Sequence, residues 1–254
     1  MMGMGADIAR GLDPALWFHQ AGITPDPWQE AAIRSPSKRQ LWNVHRQGGK
    51  SSTAALKALA KATTCPGSLT LLISPAQRQS AELLRKVVEL HGKIPGLPKP
   101  VAAAAHHLEF DPAIGGRVLS LPSSSATVRG FSRVGLLILD EASRIPDPII
   151  GAVKPMQATI SDGELIALST PNGEVGWFFE QWTRGGDVWE RTEVPASACS
   201  RIDPEFLDEE RKTLGPLLYQ QEYECRFVAN DEQIFLTEII TAALSHSEVV
   251  PLWA

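Results

Sequence analysis

The sequence has little cysteine, no surplus of positive charge and no long apolar run, and each shortage removes a class of protein. Only three cysteines occur in 254 residues, Cys65, Cys199 and Cys225. They are odd in number, far apart and form no CxxC pair, which argues against a disulfide framework or a zinc ribbon and fits a reducing cytosol. Lys and Arg number 24 against 29 Asp and Glu, a net charge of −5. A chain that coats nucleic acid through a global positive field is thereby excluded, and a DNA partner would need a local basic patch. Apolar runs such as Leu136 to Leu139 fall far short of the about 20 residues of a membrane span. The N-terminal stretch 1–18 has no basic start followed by an apolar segment, so no signal peptide is read. The expectation is a cytoplasmic protein without a membrane partner. With 43% hydrophobic and 21% charged residues, the chain is not disordered as a whole. Its length allows one large domain or two small ones.

What is present is an alternation of short apolar strands and helices. Residues 1–35 read as a helical lead-in broken by Pro25 and Pro27. A strand at Leu41–Val44 precedes an Ala-rich helix from about Ser51 to Thr63, stopped by Pro66-Gly67. Further strands are read at Leu69–Ile73, Val134–Leu139 and Leu165–Leu168, with one around 188–194. Helical spacing marks 76–92 and 174–184. Residues 106–121 suggest a hairpin turning at Gly115-Gly116. Asp203-Pro204 is a helix start, an N-cap followed by proline at the first helical position. That helix should end near Gly215, and another should run to about Phe227. Strands apolar on both faces predict a mainly parallel α/β sheet flanked by helices, and such sheets bind ligands at the carboxyl ends of their strands.

Three motifs fall at those ends. The first is Val44-His45-Arg46-Gln47-Gly48-Gly49-Lys50-Ser51. A phosphate-binding loop usually reads GxxxxGK[ST]; here Val44 stands at the first glycine position, while Gly49-Lys50-Ser51 is intact. Backbone N–H groups of Gln47, Gly48 and Gly49, with Ser52 beside them, can wrap phosphates at a helix N-terminus. Lys50 would reach the β/γ-phosphates of a nucleotide, and Ser51 would ligate Mg²⁺. The second motif is Leu136-Leu-Ile-Leu-Asp140-Glu141. Asp140 can hold hydrated Mg²⁺, and Glu141 can polarise an attacking water. The third is Ser169-Thr170-Pro171-Asn172-Gly173, which is either a plain turn or a contact of Thr170 and Asn172 with the γ-phosphate and the water. Gln29, after Trp28, suits an adenine edge or an interdomain contact. Arg46 supplies a cation inside the loop. Arg129, before the acidic strand, suits a finger offered to a neighbouring subunit or a surface ion pair, and Arg133 competes for that role.

On these residues the sequence resembles the ATPase half of a phage terminase large subunit. The resemblance covers roughly residues 20–230 and rests on Trp28-Gln29, Arg46 to Ser51, Asp140-Glu141 and Ser169-Thr170-Pro171. The stretch Gln221-Glu222-Tyr223-Glu224-Cys225-Arg226-Phe227 is similar to the segment closing the family's ATPase domain. The resemblance implies a RecA-like P-loop NTPase core over residues 1–195 with a small C-terminal lid over 196–230. It also implies ATP hydrolysis with Mg²⁺, and Arg129 acting in trans. The implied assembly is a ring, usually a pentamer, on the portal protein of a procapsid. Its implied partners are the small terminase subunit and the double-stranded DNA driven through the ring in the host cytoplasm. Basic residues among Lys86, Lys93 and Lys99 are candidates for the grip on DNA. Only 27 residues follow Phe227, too few for a further domain. Residues 231–254 are therefore read as a linker or the start of a missing nuclease, and no DNA cleavage is expected. Two alternatives are weighed. A helicase-like DNA-dependent ATPase would need a second RecA-like domain, for which there is no room. A non-catalytic nucleotide-binding assembly module would not need the Lys50 and Glu141 pair.

Overall fold

The computed structural model describes residues 2–124, 128 and 130–229. Three helices lead in: α1 (Met2–Leu12), α2 (Leu16–Gln20) and α3 (Pro27–Arg34). The third begins with Pro27 at its first position, and the Gln29 side chain accepts the Asp26 N–H at 2.8 Å. That bond satisfies a donor that the start of a helix otherwise leaves free.

From Arg39 onward strands and helices alternate. In order they are β1 (Arg39–Val44), α4 (Lys50–Thr64), β2 (Leu69–Ser74), α5 (Gln77–Lys93), β3 (Ala102–Ala104), β4 (His107–Glu109), β5 (Arg117–Pro122), β6 (Val134–Asp140), α6 (Asp147–Val153), β7 (Glu164–Ser169), α7 (Gly176–Arg184) and β8 (Glu190–Val194). They form one eight-stranded sheet in the order β3-β4-β5-β2-β6-β7-β1-β8. Neighbours from β5 to β8 are parallel. At the other edge β4 runs antiparallel to β5, and β3 to β4.

The central strands are mostly apolar because both faces are covered. Along β6, Leu136 and Ile138 pack with Trp42, Leu56, Leu59 and Leu83 on one face. Leu137 and Leu139 pack with Leu41, Leu71, Ile149 and Phe178 on the other. Strand β7 lies between β1 and β6, with Ser169 opposite Asn43 and Leu168 opposite Asp140. The carboxyl ends of these three strands therefore finish side by side.

The expected hairpin is present in part. His107 faces Leu119 and Glu109 faces Arg117, but residues 110–116 make the connection, and Gly115-Gly116 is not a two-residue turn. Neither glycine has a positive φ. Gly116 is instead a point of close approach, since a Cβ there would lie 2.2 Å from the Ser68 carbonyl oxygen. Strand β3 and helix α6 were not anticipated from the sequence.

After β8 come α8 (Pro204–Leu214) and α9 (Pro216–Tyr223). Asp203 caps α8 by accepting the Glu205 N–H at 3.0 Å, and Gly215 ends it with φ 74°. The pair has its own small apolar cluster, in which Tyr219 and Tyr223 meet Ala196, Ile202, Leu207 and Leu214. Residues 231–254, expected to be a linker, lie outside the described residues. No helix among the described residues is long and apolar enough to cross a membrane.

Candidate nucleotide-binding site

The turn from β1 into α4 is built from its residues. Gln47 and Gly49 both have positive φ, 62° and 86°. At Gly49 a Cβ would also lie 2.6 Å from Gln29 Nε2, so glycine is required there on two counts. Val44 replaces the usual first glycine without conflict because it is the last residue of β1 and fully buried. The tight part of the loop starts after it. The Arg46 N–H donates to the Glu222 carbonyl at 2.9 Å, which ties the loop to α9.

Lys50 opens α4 and is buried, donating to the carbonyls of Val44 at 2.9 Å and His45 at 3.2 Å. Burial pulls its pKa down, against the pull of Glu141 and Asp140. Asp140 ends β6, also buried. Burial first, and the adjacent Glu141 second, push its pKa up to about 7, while Lys50 works the other way. Its Oδ1 is buried without a hydrogen-bond partner among the described residues. An orphaned carboxylate oxygen on a residue that lines one cavity with Ser51 fits Mg²⁺, which takes one or two protein oxygens and completes its shell with phosphates and water. Ser51 and Asp140 would hold that ion, and it would neutralise charge on the phosphates.

Arg46, Gln47, Gly48, Gly49, Lys50, Ser51, Ser52, Glu141 and Thr170 line a single cavity of about 550 Å³. Asp140 lines an adjoining one together with Ser51 and Glu141. Glu141 has left-handed backbone, φ 52° and ψ 47°, a conformation that costs a non-glycine residue energy and concentrates at functional sites. Ser143 Oγ lies 2.7 Å from Ser169 Oγ, to which it can donate, and 2.9 Å from the Thr170 carbonyl oxygen, placing the third motif against the second.

Other expected residues are not brought to the cavity. Gln29 is buried behind the loop. Its Oε1 accepts from Asp26, and its Nε2 donates to Thr53 Oγ1 at 2.9 Å and the Gly49 carbonyl at 3.4 Å. With its amide committed to shaping the loop, it does not present an edge to a base. Asn172 does not line the cavity, and the next N–H, of Gly173, donates to Gln221 Oε1 at 3.4 Å. Arg133 lines a different cavity with Lys61, Ser68 and Leu69, at the opposite ends of the strands. Arg129 lies outside the described residues. Lys86, a candidate for gripping DNA, lines this same cavity. Arg144, Arg201, Gln79 and Glu222 complete the lining and were missed, because none lies within a contiguous motif and only the fold turns them toward the cavity.

His45 is fully buried in the loop, and neither ring nitrogen has a partner among the described residues. Burial, then Lys50 and Arg201, depress its pKa from 6.5 to about 4. Below pH 6.5 the unfolded chain takes up a proton that the folded chain refuses. The contribution of His45 to stability is therefore complete above that pH and shrinks as pH falls toward about 4. Asp140 works in the opposite sense, its contribution shrinking as pH rises from 3.8 to about 7. Relative to wild type, His45→Asn should gain roughly 2–3 kcal/mol of unfolding free energy between about pH 7 and pH 4. Denaturant titrations across that range check it; parallel pH curves for the two proteins would contradict it.

A parallel sheet with a glycine loop after one strand and a paired acidic motif after another defines the RecA-like class of P-loop nucleotide-binding proteins. No protein-family model matches the chain. Among curated proteins it is similar to the terminase large subunits of Thermus phage G20c and Thermus virus P23-45. It is 25% identical to each over 86% of this chain and 52% of the relative, so it spans about half the length of the curated relatives it matches. Among solved structures it is similar to the large terminase ATPase domain of Thermus phage P74-26. That match has 25% identity and a TM-score of 0.67, covering 83% of this chain and 97% of that one. The large terminase of another thermophilic bacteriophage, in complex with ATP-gamma-S, shares the fold. Its TM-score is 0.64 at 10% identity, over 80% of this chain and 51% of that one. The likeness to phage large terminases read from the motifs is thus met by both comparisons.

Proposed function

We propose that the chain is an ATP-hydrolysing motor subunit of a phage terminase. The observation that carries this is the convergence of Arg46–Ser52, Glu141 and Thr170 on one cavity at the ends of adjacent parallel strands. Backbone N–H groups of 47–49 would bind the phosphates, with Lys50 and Arg46 supplying positive charge. Ser51 and Asp140 would hold Mg²⁺. Glu141 would accept the proton of the attacking water, and Thr170 would respond to the γ-phosphate. The ATP-gamma-S complex of the thermophilic bacteriophage terminase supports a nucleotide as ligand.

The reading extends to the assembly. Residues 1–195 would be the catalytic core and 196–230 a lid that follows the nucleotide through the Arg46–Glu222 contact. Arg129 would reach a neighbouring subunit as a finger within a homo-oligomeric ring, a pentamer on the portal of the procapsid. The ring would work with the small terminase subunit in the host cytoplasm and move double-stranded DNA. The test is phosphate release from ATP with Mg²⁺, with and without double-stranded DNA. Turnover that rises with DNA is expected. ATP binding with no turnover under any condition would favour the assembly-module reading and sink this one.

A further inference from the structure

The Glu141 carboxylate is held by one oxygen. Its Oε2 accepts from Arg144 Nη1 at 3.2 Å and from Ser169 Oγ at 3.3 Å. Its Oε1 has no hydrogen bond to any described residue, and the side chain lines the cavity. Two donors on one oxygen set the direction of the carboxylate and leave the other oxygen to accept from water. The left-handed backbone at Glu141 persists only where surrounding contacts hold it.

Arg144 is itself shared. Its Nη1 also reaches Thr170 Oγ1 at 3.4 Å, and its Nη2 reaches Glu222 Oε1 at 3.4 Å. Charge-assisted bonds usually measure about 2.7–2.9 Å, so no single acceptor captures the guanidinium. Glu222 belongs to α9, whose backbone receives the Arg46 N–H. One guanidinium thus joins the residue that ends the acidic motif, the residue after β7 and the C-terminal helical pair.

We propose that Arg144 is a positioning residue. With Ser169 it fixes Glu141 Oε2 so that Oε1 takes the attacking water, and through Glu222 it ties that geometry to the seat of α9. The proposal rests on the ATPase reading above. Arg144 acts through Glu141, so its loss should lower turnover and leave nucleotide affinity nearly untouched. The contact with α9 should matter to turnover only while Arg144 is present.

The test uses the full chain with ATP and Mg²⁺, measuring kcat for phosphate release and Kd for ATP. Arg144→Ala should lower kcat about 10- to 100-fold, part of the 10²–10⁴ that a positioned base supplies. Its Kd should change by less than about threefold. Glu222→Ala should lower kcat by a smaller factor, and the double variant should be no slower than Arg144→Ala. An unchanged kcat, an equal loss in affinity (an arginine that merely binds phosphate), or losses that multiply in the double variant would each overturn the proposal. If Arg144→Ala does not fold, Arg144→Met, which keeps an unbranched stem and removes every donor, is read by the same two constants. Glu141→Gln measured alongside separates the failures. Turnover surviving in it overturns the ATPase reading, whereas its loss beside an unaffected Arg144→Ala overturns only the positioning role.

Discussion

Glu141→Gln should bind ATP as the wild-type chain does and release phosphate about 10²–10⁴-fold more slowly. Glutamine has nearly the shape of glutamate, and its Oε1 can still accept from Arg144 and Ser169. The contacts that hold the side chain are thus kept, and the strained backbone, φ 52°, is not disturbed. What is lost is the capacity to take a proton from water. Equilibrium binding and single-turnover phosphate release separate the two quantities. Unreduced release would remove Glu141 as the base and turn attention to another group in the cavity.

Lys50→Ala should weaken ATP binding by about 2–5 kcal/mol, roughly 30-fold or more, the usual cost of removing one partner of a buried charge pair. Lys50 is 7% exposed, and among the described residues its ammonium is satisfied only by the carbonyls of Val44 and His45. These neutral acceptors are weaker than the phosphate oxygens that the loop is shaped to admit. The burial that pulls the lysine pKa down also strengthens its attraction to an anion entering the cavity. Lys50→Arg should fail as well, because a planar guanidinium does not fit a site made for a compact ammonium. Calorimetric titration with a non-hydrolysable ATP analogue gives the numbers. Wild-type affinity in Lys50→Ala would place the phosphates elsewhere.

Much of this was legible along the chain. Strands β1, β2, β6 and β7 declared themselves by short apolar runs, because a sheet buried on both faces leaves few polar positions to blur the pattern. The phosphate loop and Asp140-Glu141 were legible because both motifs are contiguous. Helix α6 was not read, although Asp147-Pro148 repeats the start signal that Asp203-Pro204 gave for α8; only seven residues long, it offers little periodicity. Gly115-Gly116 misled, because glycine marks close approach as readily as a turn, and the neighbour that matters, Ser68, is remote in sequence. Gln29 shows the same limit, as its amide was free to suit a base until the fold placed Thr53 and Gly49 within reach. Arg144, Arg201 and Glu222 carry no local signal. Arg144 reaches the site through the tight turn after Glu141, and Arg201 and Glu222 only because the 200–203 segment and α9 fold back over the strand ends.

The central claim is that residues 46–52, Asp140 and Glu141 form one Mg²⁺–ATP site. A crystal structure of the chain with Mg²⁺ and ATP-gamma-S tests it most directly. The account predicts phosphates cradled by the N–H groups of 47–51, the ion on Ser51 and Asp140, and the γ-phosphate facing Glu141. A nucleotide seated in any other cavity, or an ion away from both Ser51 and Asp140, would contradict it.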